Sequence, residues 1–90
     1  MNNTTRFVNK EVDVNSFYFR PNKNFKTFPK EIELDGARYV FIENGLRFLI
    51  RKGQQLIELF DMTDGQNTFR LRLEAGQWTL VGIKSEVQFS

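Results

Sequence analysis

Ninety residues with a formal net charge of +2, ten phenylalanines, no cysteine and no histidine describe one small domain that must rely on an aromatic core. The lack of cysteine excludes disulfides, thiolate metal sites and thiol nucleophiles, and the lack of histidine removes the side chain best suited to proton transfer near neutral pH. No apolar run has the length of a membrane-spanning helix, and the opening MNNTTRFVNK lacks the apolar stretch of a secretory leader, so a soluble, cytoplasmic protein is expected.

Residues 1–30 differ in composition from the rest. Between Val14 and Lys30 there is no acid, while Arg20, Lys23, Lys26 and Lys30 alternate with Phe17, Tyr18, Phe19, Phe25 and Phe28. The only two prolines, Pro21 and Pro29, also fall here and favour extended backbone in the residues before them. FVNKEVDV and SFYF read as short strands joined to the rest by RPNKNFKTFP. So many rings argue against a disordered tail, and the segment is expected to pack over the sheet that follows.

From Glu31 to Ser85 six apolar runs are separated by glycine-containing turns. Asp35-Gly36 joins EIEL to ARYVFI and Asn44-Gly45 joins that run to LRFLIR, both being strong hairpin dipeptides. Two-residue loops set Ile32 opposite Tyr39, Phe41 opposite Phe48, and Tyr39 opposite Ile50. Gly53-Gln54 sets Ile50 opposite Ile57 and Phe48 opposite Leu59. After the longer loop DMTDGQN, Phe69, Leu71 and Leu73 point one way, and Ala75-Gly76 returns Trp78 and Leu80 to that same side. Gly82 then falls opposite Phe69.

Alternation along the strands collects Ile32, Leu34, Tyr39, Phe41, Phe48, Ile50, Ile57, Leu59, Phe69, Leu71, Leu73, Trp78 and Leu80 on one face, the expected interior. The other face carries Arg38, Arg47, Arg51, Arg70 and Arg72 among Val40, Ile42, Leu49, Leu56, Phe60, Val81 and Ile83, with Arg38 opposite Arg51. The expected fold is all-β: one small antiparallel barrel or rolled meander of about six strands, of SH3-like or roll type. Residues 31–90 form this core, and residues 1–30 form a basic, aromatic segment covering it.

Chemistry is sparse. The three serines, Ser16, Ser85 and Ser90, have no nucleophile-elbow setting, and no glycine-rich phosphate loop occurs. Asp61-Met-Thr-Asp64-Gly65-Gln66-Asn67 offers oxygens in one loop but lacks the acid spacing of a calcium site. No catalysis, cofactor or metal is therefore expected. A protein-docking or self-associating module is the leading expectation, with Val40, Ile42, Leu49, Leu56 and Phe60 as the partner surface. The alternative is single-stranded nucleic acid, with Lys23, Lys26, Lys30, Arg38, Arg47, Arg51, Arg70 and Arg72 tracking phosphates while Phe25 and Phe28 stack on bases.

Overall fold

The structure is a computed structural model that describes residues 5–19, 27–42 and 45–85. These residues form eight strands: β1 (Thr5–Glu11), β2 (Asp13–Phe19), β3 (Thr27–Leu34), β4 (Ala37–Val40), β5 (Leu46–Lys52), β6 (Gln55–Thr63), β7 (Asn67–Glu74) and β8 (Gln77–Ser85). No helix occurs among the described residues. The strands divide into a five-stranded sheet in the order β1-β8-β7-β6-β5 and a three-stranded sheet in the order β2-β3-β4, with every pairing antiparallel. The six expected runs are thus present as β3 to β8, but they do not form one continuous meander.

Three turns act as their dipeptides dictate. Asp35 and Gly36 both take positive φ, as do Ala75 and Gly76, giving the hairpin twist that ordinary turns cannot match. They place Ile32 opposite Tyr39, Glu33 opposite Arg38, and Leu73 opposite Trp78. Gly53 has φ of 63° ahead of Gln54, and Ile50 lies opposite Ile57 and Phe48 opposite Leu59.

Asn44-Gly45 does not join a hairpin. β4 pairs with β3 alone and β5 with β6 alone, so Phe41 does not face Phe48, Tyr39 does not face Ile50, and Arg38 is not opposite Arg51. The chain instead passes between sheets, and the Ile42 amide donates to the Thr63 carbonyl at 3.0 Å. Gly45 lies so close to the Asp61 backbone that a Cβ would overlap its carbonyl oxygen. Glycine is needed there for close approach rather than for a turn. A matching crossing joins β1 to β2, where buried Val12 donates its amide to the Trp78 carbonyl at 3.1 Å.

Residues 1–30 accordingly enter both sheets. β1 lines the five-stranded sheet beside β8, and β2 lines β3. A register shift separates Arg70 from Leu71 in the β7–β8 pair, so Gly82 lies opposite Arg70 rather than Phe69, and Ile83 turns to Phe69. Gly82 is also buried under β1, where an added Cβ would meet the Arg6 carbonyl oxygen at 3.0 Å.

The core lies between the sheets. Phe28, Ile32 and Phe41 meet Phe60, Met62, Phe69, Leu71 and Leu80, with Val12 at the crossing. The rings contact across the gap: Phe28 stands edge-on to Phe60 at 5.8 Å, and Tyr39 and Phe41 each reach Phe69 at 5.2 Å. Burying each such ring contributes roughly 1.5–3 kcal/mol, which makes these contacts the main source of cohesion. The Tyr18 hydroxyl donates to the Phe41 carbonyl and satisfies it inside the small sheet.

The interior differs from the sequence expectation along β5 and β6. Because Met62 lies opposite Phe69 and Phe60 opposite Leu71, the even-numbered residues of β6 face the core. Ile57 and Leu59 face the other side, together with Phe48 and Ile50, which are exposed.

Candidate functional site

A three-stranded sheet cannot cover a five-stranded one. The overhang falls at β5 and the adjoining part of β6. The core ends at Arg47, which shares the inner face with Phe60, its register partner, and stands 6.0 Å from the ring centre. Arg47 donates from Nε and a terminal nitrogen to Glu58 Oε1 at 3.0 and 2.7 Å, with both side chains roughly three-quarters covered. Beyond this pair the same face continues as Leu49, Arg51 and Leu56, all exposed to water.

The opposite face of the overhang carries Leu46, Phe48 and Ile50 against Asp61, Leu59 and Ile57. Arg70 reaches across from β7, binds both oxygens of Asp61 at 2.7 Å, and stands 5.7 Å from the Phe48 ring centre. The Asp61 hydrogen bond raises the Arg70 pKa above its ordinary value, burial opposes this, and charge attraction to Asp61 adds to it.

Exposure is strongly localised. Eight large apolar side chains are exposed among the described residues, and seven of them lie between Val40 and Leu56: Val40, Ile42, Leu46, Phe48, Leu49, Ile50 and Leu56. Leu46 at 62 % and Leu49 at 55 % stand on opposite faces of one strand, so β5 is apolar on both sides and bare on both sides. Four of the five expected surface residues, Val40, Ile42, Leu49 and Leu56, are exposed as the sequence suggested. Phe60 is not: at 2 % exposure it is central to the core. The sequence reading missed Leu46, Phe48 and Ile50, because it assigned Phe48 and Ile50 to the interior.

The described arginines of the expected phosphate track lie on different surfaces. Arg38 is on the small sheet beside Glu31 at 3.7 Å, Arg47 and Arg51 are on the inner face of β5, and Arg70 and Arg72 are on the outer face of the large sheet. Arg47 and Arg70 are held by Glu58 and Asp61, and Arg72 stands 3.7 Å from Glu74. Lys30 lies over the Tyr18 ring at 5.5 Å. Phe28, expected to stack on bases, is 6 % exposed and packs on Phe60. Lys23, Phe25 and Lys26 lie outside the described residues.

The oxygen-bearing loop has a structural job. Asp64 Oδ1 accepts from the Gln66 and Asn67 amides at 2.9 and 2.8 Å, and Thr63 Oγ1 accepts from the Gly65 amide. Such side-chain bonds to the following backbone shape a tight turn. No cluster of three metal-ligating side chains occurs among the described residues, and none of them forms a helix long and apolar enough to cross a membrane. No protein-family model, curated protein or solved structure matches the chain significantly.

Proposed function

We propose that this domain is a non-catalytic interaction module that docks protein through the β5–β6 overhang. The observation carrying this reading is that five exposed apolar side chains, Leu46, Phe48, Leu49, Ile50 and Leu56, crowd the two faces of the β5–β6 hairpin. Soluble domains mostly scatter such residues singly, and their grouping on one hairpin supports a partner surface there. The charges support it too: each face of the hairpin pairs its charges internally, Arg47 with Glu58 on the inner face and Arg70 with Asp61 on the outer. The two crossings at Val12 and Ile42 support a further reading, that the sheets form a rolled, incompletely closed barrel of SH3-like or roll type, open where β5 would have met β4.

The test combines sedimentation velocity across concentration with binding of an environment-sensitive apolar dye. The expected result is concentration-dependent association, dye binding, or both, each reduced by the combined Leu46→Ser, Leu49→Ser and Leu56→Ser replacement. A strict monomer that binds no dye overturns the reading. Short single-stranded DNA or RNA is expected to show no saturable fluorescence anisotropy change at low salt, since the described arginines are dispersed over two sheets and two faces.

A further inference from the structure

Sheet edges invite pairing with another chain, and proteins blunt them with bulges, short strands, prolines or unpaired charges. Of the four edges here, three are blunted. β1 breaks register between Phe7 and Lys10, with Asn9 at φ of 50°. β2 breaks register on both sides of Ser16. β4 has only four residues. β5 differs: its seven residues, LRFLIRK, pair with β6 in unbroken register, contain no proline, and have no strand on their other side among the described residues.

The unused backbone groups can be assigned. Lys52 and Gln55 close the two-residue loop as a hydrogen-bonded pair, and such pairs alternate along an antiparallel ladder. Leu46, Phe48, Ile50 and Lys52 therefore direct their N–H and C=O toward β6. Arg47, Leu49 and Arg51 direct theirs outward.

We propose that the occupant of this edge is a second copy of the chain, its β5 running antiparallel to the first about a two-fold axis through Phe48, so that the two five-stranded sheets become one. This deepens the docking reading above and rests on it. A two-fold axis normal to the sheet keeps each residue on its own face, so the register must centre on a residue. Centring on Leu49 would set Arg47 opposite Arg51 of the second copy twice over, and like charges directly opposite are destabilising. Centring on Phe48 sets Phe48 against its own counterpart and Leu46 against Ile50 on the outer face. Arg47, already neutralised by Glu58, then lies opposite apolar Leu49, and the outward backbone groups of these two residues meet in complementary pairs. Arg51, which has no ion-pair partner among the described residues, moves to the margin. Each Arg70 remains over its own Phe48, flanking the central ring pair.

The chain has no cysteine, so introduced thiols report the register directly. Across a non-hydrogen-bonded pair the Cα atoms are about 4.5 Å apart, within disulfide reach. Phe48→Cys is therefore expected to form disulfide-linked dimers at least tenfold faster in a glutathione buffer than Leu49→Cys or the hairpin-tip variant Gln54→Cys. The double variant Leu46→Cys with Ile50→Cys keeps the Phe48 ring and is expected to cross-link equally fast. Leu49→Pro removes an outward N–H that β6 does not use, so it should sediment as a monomer with wild-type circular dichroism; Leu49→Lys gives the same reading should the proline variant fail to fold. The proposal is overturned if Leu49→Cys cross-links fastest, if Phe48→Cys is no faster than Gln54→Cys, or if the wild-type chain stays monomeric at millimolar concentration. Retained association or dye binding in any of those cases leaves the docking reading standing, and a strict monomer that binds no dye removes both.

Discussion

Gly45 rests directly on the Asp61 carbonyl, with no room for even one side-chain carbon between them. This contact seats the crossing from the small sheet against β6 and starts β5 in register, since Leu46 is the residue opposite Asp61. Gly45→Ala must displace backbone on one side or the other, and overpacking of this kind costs about 1–3 kcal/mol. Urea denaturation followed by Trp78 fluorescence is expected to show a lowered midpoint. Gly36→Ala is the informative comparison: space there is open, so its cost comes only from a φ of 84°.

Phe60 and Leu49 share the inner face but not its cover: Phe60 is buried under the small sheet and Leu49 is bare. Phe60→Ala is expected to cost about 3–5 kcal/mol, because it removes the ring that packs against Phe28 and Trp78. Leu49→Ala, on a half-bare edge, should stay within about 0.5 kcal/mol in dilute solution. Equal losses at the two positions would contradict the placement of Phe60 in the covered core and of Leu49 on the bare overhang.

Glu58 holds the only charge partner that the described residues give Arg47, over the ring of Phe60. Glu58→Gln leaves a partly covered guanidinium without its counter-charge and is expected to cost about 1.5–3 kcal/mol. Glu74→Gln, opposite the more exposed Arg72 at 3.7 Å, should cost less than about 0.5 kcal/mol. Parallel urea titrations of the two variants provide the comparison.

Arg70 carries a raised pKa, and the sign of its linkage follows from that. A cation whose folded-state pKa is raised contributes stability that is present below its unfolded value and disappears only as pH rises through the folded one. For arginine both values lie above the range in which proteins are ordinarily handled. Arg70→Gln should therefore lower stability by the same modest amount at about pH 6 and about pH 9. An effect that shrinks toward pH 9 would show that the guanidinium is not what holds this site.

Much of the local structure was legible in the sequence. Asp35-Gly36, Gly53-Gln54 and Ala75-Gly76 carry enough conformational information to fix Ile32 on Tyr39, Ile50 on Ile57 and Leu73 on Trp78. Asn44-Gly45 has the same hairpin chemistry, but a dipeptide cannot specify whether the next strand returns beside the last one or crosses to another sheet. The face of β6 was misread for a related reason. Its strand runs on to Thr63 instead of ending at Phe60, and the parity of Phe60 and Met62 is set by pairing with β7 across that extension. Four of the exposed apolar residues could be read from the pattern, whereas Phe48 and Ile50 required knowledge that only three strands cover five.

The pairing of β1 with β8 brings the first strand of the chain beside the last, with Thr5 opposite Lys84. During synthesis β1 leaves the ribosome long before its neighbour exists, and must wait as an unpaired strand until β8 has been made. Loop closure between such distant segments slows folding, so assembly of the large sheet is governed by its last arrival. The same adjacency makes the domain a good host for circular permutation, with new ends cut at the exposed Gly53-Gln54 turn. A permutant opened there would separate β5 from β6 in sequence and test whether that hairpin nucleates the sheet or merely completes it.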